Sequence, residues 1–241
     1  MGDGVIQHGL QEASSESDIS IQWQSGGWNH THQFIVARGL TILENDKGWS
    51  IAQYFYAENG TALIMEYSDK PDVDETDGIT PFLGHFYDPD TGTNYLGGTD
   101  PTARARFSTH FYTAVNYYNN NNKTEAWKSL GRALHYYGDL SEPHHASNLI
   151  VGLSRHGEFE SWVDTNRTDF GVTTSNRYDY CLNSDIGTIA FAAALNAKSY
   201  VSGAESTLTS DMRDAASNTV RLAQEFTAGV LYKFLNEVGE I

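Results

Sequence analysis

The chain has 241 residues, which suits one large domain or two small ones, and 39% of them are hydrophobic, enough for a sizeable core. Its 15 Lys and Arg residues stand against 31 Asp and Glu residues, for a formal net charge of −16. Such a surface disfavours general binding to nucleic acids, although a local cluster of metal ions would still attract a phosphodiester. Cys181 is the only cysteine, which excludes an intrachain disulfide, and no apolar run reaches the roughly 18 residues of a membrane span.

The N-terminal segment differs in composition from the rest of the chain. Residues 1–22 are polar, are rich in Ser and Glu, and lack the basic start and apolar middle of a signal peptide. We expect them to form a disordered leader or a propeptide. No linker or internal repeat follows, so residues 23–241 are expected to form one domain.

Apolar residues at helical spacing predict an all-α fold, a single compact domain of roughly eight to ten helices with any metal cluster in a cleft between them. Thr31 is a candidate N-cap of the first helix, and Pro101 is expected in the first turn of the second. The segments with helical periodicity are HQFIVARGLTILEND, DPTARARFSTHFYTAVNYY, NNNNKTEAWKSLGRALHYYGDL, SRHGEFESWVDTN, SDIGTIAFAAALNAKSYVSG and DMRDAASNTVRLAQEFTAGVLYKFLNEVG.

A long segment between the first two helices, residues 69–101, is rich in Gly, Pro and Asp and is predicted to be a loop. Loops of this length within a compact domain are usually functional or disordered. The segment therefore becomes a candidate contributor to a binding site.

Pairs of potential metal ligands recur at helical spacing. His135 and Asp139 lie four residues apart on a predicted helix, so both side chains leave the same face. His156 and Glu160 repeat this spacing. About one such pair is expected by chance in a chain of this composition. The pair of His8 and Glu12 in the leader is interpreted as a chance pair.

These pairs belong to a larger series of five histidines and three carboxylates. A zinc ion takes about four ligands, so the series suits two or three ions that share a bridging carboxylate. Clustered zinc ions generate hydroxide at neutral pH and clamp the attacking and leaving oxygens of a phosphate ester. The series comprises His32, Asp72, His85, His135, Asp139, His145, His156 and Glu160.

Three motifs, HFYDPDTG, LGRALHYYGDLSEPHHASNL and HGEFESWVDT, resemble the zinc-dependent phospholipase C family of secreted bacterial enzymes. THQFIVARGLTILEND and QEFTAGVLYKFLNEV resemble the first and last helices of its catalytic domain. The resemblance covers roughly residues 23–239 and is closest to the short, single-domain form. It implies a secreted, monomeric enzyme that hydrolyses phosphatidylcholine-type phospholipids at a membrane or micelle surface, and it implies no nucleic-acid partner.

The resemblance also implies the zinc ligands. For a first ion they are Asp72, His85, His135 and Asp139, and for a second they are His145, His156 and Glu160. A third ion would be held by His32, by Asp139 as a bridge, and by an N-terminal tryptophan exposed on propeptide cleavage. Trp23 is preferred to Trp28 for that role.

The resemblance also implies roles for two residues of the long loop. Asp72 corresponds to a candidate general base beside the metals, with Asp74 and Asp77 as alternative loop carboxylates. Phe82 corresponds to an aromatic residue that lines the headgroup pocket.

Other histidines receive structural interpretations. His144 is expected to point away from the ligand cluster, His110 to serve as a core or surface residue, and His30 to compete only weakly with His32 as a ligand.

Two alternative functions remain open from the residues. A single-strand-specific zinc nuclease has a similar ligand order, and the short spacing of Trp28 and His32 fits it, whereas Glu160 and the HFYDPDTG loop argue against it. A zinc-binding protein without turnover is the second alternative.

Overall fold

The structure, a computed structural model, describes residues 30–241, where the regular elements are α-helices and 3-10 turns, with two isolated β-bridges and no strands. The prediction of an all-α fold is confirmed. Residues 1–22 and the candidate ligands Trp23 and Trp28 lie outside the described residues. The helices are α1 Thr31–Lys47, α2 Trp49–Tyr56, α3 Gly60–Tyr67, α4 Pro71–Asp74, α5 Ala103–Asn119, α6 Lys123–Leu140, α7 His156–Asn166, α8 Tyr178–Asn183, α9 Ile186–Ser199, α10 Val201–Ala204 and α11 Thr209–Glu237.

Helix α6 forms the centre of the described domain. It packs against α5 and α3, while α11 lies along α1. Trp127, Leu134 and Tyr137 are among its fully buried side chains. A Cβ atom at Gly131 would stand 2.5 Å from the carbonyl oxygen of Ile64, so this glycine allows α3 to cross α6 closely. The tight packing fixes the position of the face that carries the paired histidine and aspartate.

Two predicted helix starts were wrong by one or two residues. Helix α1 begins at Thr31 itself, whose hydroxyl donates to Asp164 Oδ1 at 2.9 Å, and the capping position is His30. Helix α5 begins after Pro101, because the Thr102 hydroxyl accepts the backbone N–H of Ala105 at 3.2 Å and supplies the N-cap.

The long segment of residues 69–101 has more regular structure than the loop prediction allowed. It contains α4 and a 3-10 turn over Leu83–His85. Pro71 opens α4, since its missing N–H is not needed in a first turn. Helices α2, α3 and α8 were not predicted at all. These additions, with the single turns α4 and α10, explain why the described residues contain more helices than the roughly eight to ten expected.

Candidate metal centre

Eight predicted donors converge on the inner face of α6, and none of these side chains is more than 7% exposed. Burial of so many ionisable groups is unfavourable unless they are paired or bind a cation. Helices α1, α4, α6 and α7 and two 3-10 turns supply them. In chain order they are His32, Asp72, His85, His135, Asp139, His145, His156 and Glu160.

The first group of donors joins the long segment to α6. His85 Nδ1 lies 3.0 Å from Asp139 Oδ2 and 3.4 Å from Asp72 Oδ1. His135 Nε2 lies 3.3 Å from the same two carboxylate oxygens. Ligands of a tetrahedral zinc ion stand about 3.3 Å apart when the bonds are about 2.0 Å. The spacing of these four side chains therefore fits one zinc ion.

The second group joins α7 to the 3-10 turn that begins at His145. His145 Nε2 lies 3.3 Å and His156 Nε2 2.9 Å from Glu160 Oε1. These three side chains are fully buried. Glu142, which the sequence interpretation did not include, has a carboxylate oxygen in the same group.

Asp139 connects the first group to His32. Its Oδ2 faces His85 and His135, while its Oδ1 lies 3.5 Å from His32 Nε2. The His32 ring stacks on His135 with 4.1 Å between centroids. A Cβ atom at Gly138 would stand 2.4 Å from His32 Nδ1, so only glycine leaves room for this ring. The two oxygens of Asp139 thus serve two groups, the arrangement expected of a bridging carboxylate.

The histidine rings are held by backbone carbonyls on the side away from the carboxylates. His135 Nδ1 donates to the Ser68 carbonyl at 2.8 Å, and His156 Nδ1 donates to the Leu149 carbonyl at 2.9 Å. His145 Nδ1 donates to the carbonyl of His85 at 2.8 Å. Since a carbonyl only accepts, each of these nitrogens carries a hydrogen and the other nitrogen faces the donor cluster. This is the usual arrangement of metal-binding histidines.

The facing atoms fit a cation better than protons. His85 Nδ1 and His135 Nε2 lie 3.2 Å apart and face the same carboxylate oxygens, so both cannot hold a hydrogen in that space. His156 Nε2 and both Glu160 carboxylate oxygens are buried without a hydrogen-bond partner. Imidazole and carboxylate together are typical zinc donors, so the residues present fit zinc.

Mutual charge shifts the pKa values within this cluster. Burial opposes charge on His145, but Asp139 and Glu160 outweigh it and raise the pKa of His145 to about 10. Burial raises the pKa of Asp139, yet His135, His145 and His85 bring it well below its usual range. Burial, assisted by His135, lowers the pKa of His32. Protons and a metal ion therefore compete for the same nitrogens.

Two arginines attach the long segment to the helices behind the cluster. Arg106, on α5, donates to Asp77 and, at 3.0 Å, to the carbonyl of Glu75. Arg132, on α6, binds Glu75 at 2.5 Å and Asp74 at 2.6 Å. Asp74 and Asp77 are thus neutralised by arginine, and Asp72 is the member of the three alternatives that reaches the donor cluster.

Phe82 lies at the rim of the first group. Its ring meets His85 edge-on with 5.4 Å between centroids, and its backbone is left-handed at φ 60°. A left-handed conformation is uncommon for a bulky residue and costs of order 1–3 kcal/mol. Asp77 Oδ2 accepts the backbone N–H of Gly84 at 2.8 Å and stabilises the turn.

The remaining histidines contact other acidic groups. His144 bonds to Glu142 and Glu205, both at 2.7 Å, so its ring lies outside the ligand groups. His110 Nε2 lies 3.1 Å from Glu75 Oε2, and His30 Nδ1 lies 3.4 Å from Asp164 Oδ2.

Comparisons with known proteins agree with this geometry. A family model described as "Zinc dependent phospholipase C" matches residues 31–202. A phospholipase C of Paraclostridium bifermentans is 28% identical over 240 residues, which cover 86% of this chain and 59% of the relative. A phospholipase C of Bacillus cereus is 30% identical over 150 residues, which cover 60% of this chain and 50% of the relative.

A solved structure agrees as well. The alpha toxin of Clostridium absonum superimposes with a TM-score of 0.79 at 26% identity, over 89% of this chain and 66% of the toxin. The chain spans 59% of the length of the first clostridial relatives.

Proposed function

The chain belongs to the zinc-dependent phospholipase C family, and we propose that it hydrolyses the phosphodiester bond of phosphatidylcholine-type phospholipids to diacylglycerol and a phosphorylated headgroup. The observation that carries the proposal is the convergence of eight donors, seven of them buried, into linked groups around Asp139. When bound, zinc supplies hydroxide at neutral pH and neutralises charge on the phosphoryl oxygens.

The ligand assignment in this proposal follows the three groups of donors. Asp139, with one oxygen toward His32 and the other toward His85 and His135, would bridge two ions. The proposal is for two ions held by described residues and a third completed by Trp23.

Asp72 is proposed as the residue that orients or deprotonates the attacking water. Its side chain is 7% exposed, more than any other of the eight donors, so water reaches it most readily. Arg132 and Arg106 bind the following carboxylates and the Glu75 carbonyl, which holds the segment that carries Asp72 in place. Phe82, at the rim beside His85, would line the space for the lipid headgroup.

A secreted, monomeric enzyme that acts at a membrane or micelle surface completes the proposal. The relatives named above are phospholipases C, which supports a lipid substrate. In the range from residue 30 to residue 241, no helix is long and apolar enough to cross a membrane.

The test compares hydrolysis of phosphatidylcholine micelles with hydrolysis of single-stranded DNA at the same zinc concentration. We expect release of phosphorylated headgroup from the micelles and no cleavage of DNA. Asp139→Asn should lose both zinc and activity because its carboxylate faces two groups. The matched control is Asp169→Asn, which alters an exposed carboxylate that pairs with Arg213.

Three outcomes would contradict the proposal. DNA cleavage without lipid hydrolysis would favour a nuclease. Full zinc content without hydrolysis of either substrate would favour a non-catalytic zinc protein. Full activity and zinc content in Asp139→Asn would overturn the bridging role of Asp139.

A further inference from the structure

Glu142 places an additional carboxylate beside the second group of donors. It follows α6 in the turn that leads to His145, and its side chain is 1% exposed. Its Oε2 lies 4.0 Å from His156 Nε2. One donor atom from each of Glu142, His145, His156 and Glu160 lies within 4.8 Å of the other three.

The contacts of Glu142 argue against a role in orienting the histidine rings. The rings of His145 and His156 are already held through Nδ1 by the backbone carbonyls of His85 and Leu149. Glu142 Oε2 instead accepts the backbone N–H of His145 at 2.7 Å. A carboxylate oxygen has a second lone pair, so this bond leaves Oε2 able to bind a cation.

Other members of this donor group have buried polar atoms without a hydrogen-bond partner. His156 Nε2 and both Glu160 oxygens are buried without a hydrogen-bond partner. Because His156 Nδ1 donates to a carbonyl, the Nε2 atom that faces both carboxylates presents a lone pair in the neutral ring. Lone pairs on these atoms repel unless a proton or a metal cation lies between them. Two carboxylates and two neutral imidazoles carry two negative charges, which balance one dication.

We propose that Glu142 is a fourth protein ligand of the metal ion bound by His145, His156 and Glu160. The inference rests on the proposed function in that it requires this group to bind a metal. A zinc site with four protein ligands is closed, whereas a catalytic site keeps a position for water. This ion would therefore serve mainly to hold α7 against the turn that follows α6, and water activation would fall to an ion with fewer than four protein ligands.

A buried histidine holds Glu142 in position. Glu142 Oε1 bonds to His144 Nδ1 at 2.7 Å, and His144 Nε2 bonds to Glu205 at 2.7 Å. Glu205 also accepts the backbone N–H of Arg155 at 2.8 Å. Glu205 contacts the same histidine as Glu142 but is not in the donor group, which makes it the matched control.

The experiment measures zinc binding in the wild type, Glu142→Gln and Glu205→Gln by chelator competition, and determines a crystal structure of the zinc-loaded wild type. We expect Glu142→Gln to weaken the affinity of one zinc by at least about 100-fold, the upper end for residues outside the ligand set. Glu205→Gln should weaken it by less than about 10-fold. The crystal structure should show a bond of about 2.0–2.2 Å between zinc and a Glu142 oxygen.

The outcomes separate this inference from the proposed function. Zinc on His145, His156 and Glu160 with both Glu142 oxygens beyond about 3 Å would overturn the inference and leave the proposed function intact. Equal zinc affinity in Glu142→Gln and the wild type would do the same. A wild type that binds no zinc at this group would overturn both. If Glu142→Gln fails to fold, the wild-type crystal structure still decides the question.

Discussion

Substitution of Gly138 by alanine tests whether the close approach of α6 to His32 shapes the metal centre. The new Cβ would stand 2.4 Å from His32 Nδ1 and 2.7 Å from its Cε1. An ordinary contact needs about 3.4 Å or more, so the imidazole must move by about 1 Å. That shift would carry its Nε2 away from Asp139 and disturb its stacking on His135.

The expected change in the free energy of unfolding of Gly138→Ala follows from two opposing effects. Overpacking of a buried site costs about 1–3 kcal/mol, while replacement of a helical glycine by alanine gains about 1 kcal/mol. We therefore expect a loss of up to about 2 kcal/mol in the free energy of unfolding and a selective loss of zinc at the site of His32. Urea unfolding and zinc analysis measure the two effects.

Gly187→Ala provides the control. At Gly187, in the first turn of α9, the three atoms nearest to a Cβ would be side-chain atoms of Arg104 and Asp185, the closest at 3.1 Å. This variant should keep its zinc and change the free energy of unfolding by less than about 1 kcal/mol, because close contacts with side chains oppose the gain in helix propensity. Full zinc content and unchanged stability in Gly138→Ala would refute the argument that this glycine makes room for His32.

Four further predictions test other parts of the structure. Arg106→Lys should lower the free energy of unfolding by about 1–3 kcal/mol, because lysine cannot reproduce the fork that binds Asp77 and the Glu75 carbonyl, and urea unfolding would measure it. Phe82→Ala should raise KM for phosphatidylcholine while zinc content stays at the wild-type level, and a fall in zinc would instead assign Phe82 to the metal site. Chelation of zinc should lower thermal stability. The free energy of unfolding should fall by about 4 kcal/mol compared with protein in a free zinc concentration of about 1,000 times Kd, and an unchanged melting curve would count against a metal centre. Burial raises the pKa of the Cys181 thiol to about 12, so Ellman's reagent should label it only after denaturation, and rapid labelling of the native protein would contradict its burial.

The helical donor pairs were predictable because their geometry is local. His135 and Asp139 share a face of any helix that contains both, whatever lies around it. The same holds for His156 and Glu160. Tertiary packing adds only the position of each helix, and the structure indeed brings both pairs to the inner side of the domain.

The other features depend on contacts between distant parts of the chain. Glu142 lies in a turn beyond the end of α6, where no periodicity fixes the direction of a side chain. The pairing of Arg132 with Asp74 joins residues 58 positions apart, and spacing along the sequence carries no signal for it. The prediction for Pro101 failed because a hydrogen bond from the Ala105 backbone N–H to the Thr102 hydroxyl decides where α5 begins.

The hydrogen bond from the His145 ring to the main chain of His85 ties the two halves of the cluster together. The His85 side chain faces Asp72 and Asp139. A shift of the His85 backbone would therefore move donor atoms in both halves of the cluster at once. Zinc bound to one half of the cluster would restrict the motion of the His85 backbone and the His145 ring. The ligands of the other half would then lose less conformational entropy when a second ion binds. The ions would then enter cooperatively, and partly loaded molecules would be scarce at intermediate zinc concentrations.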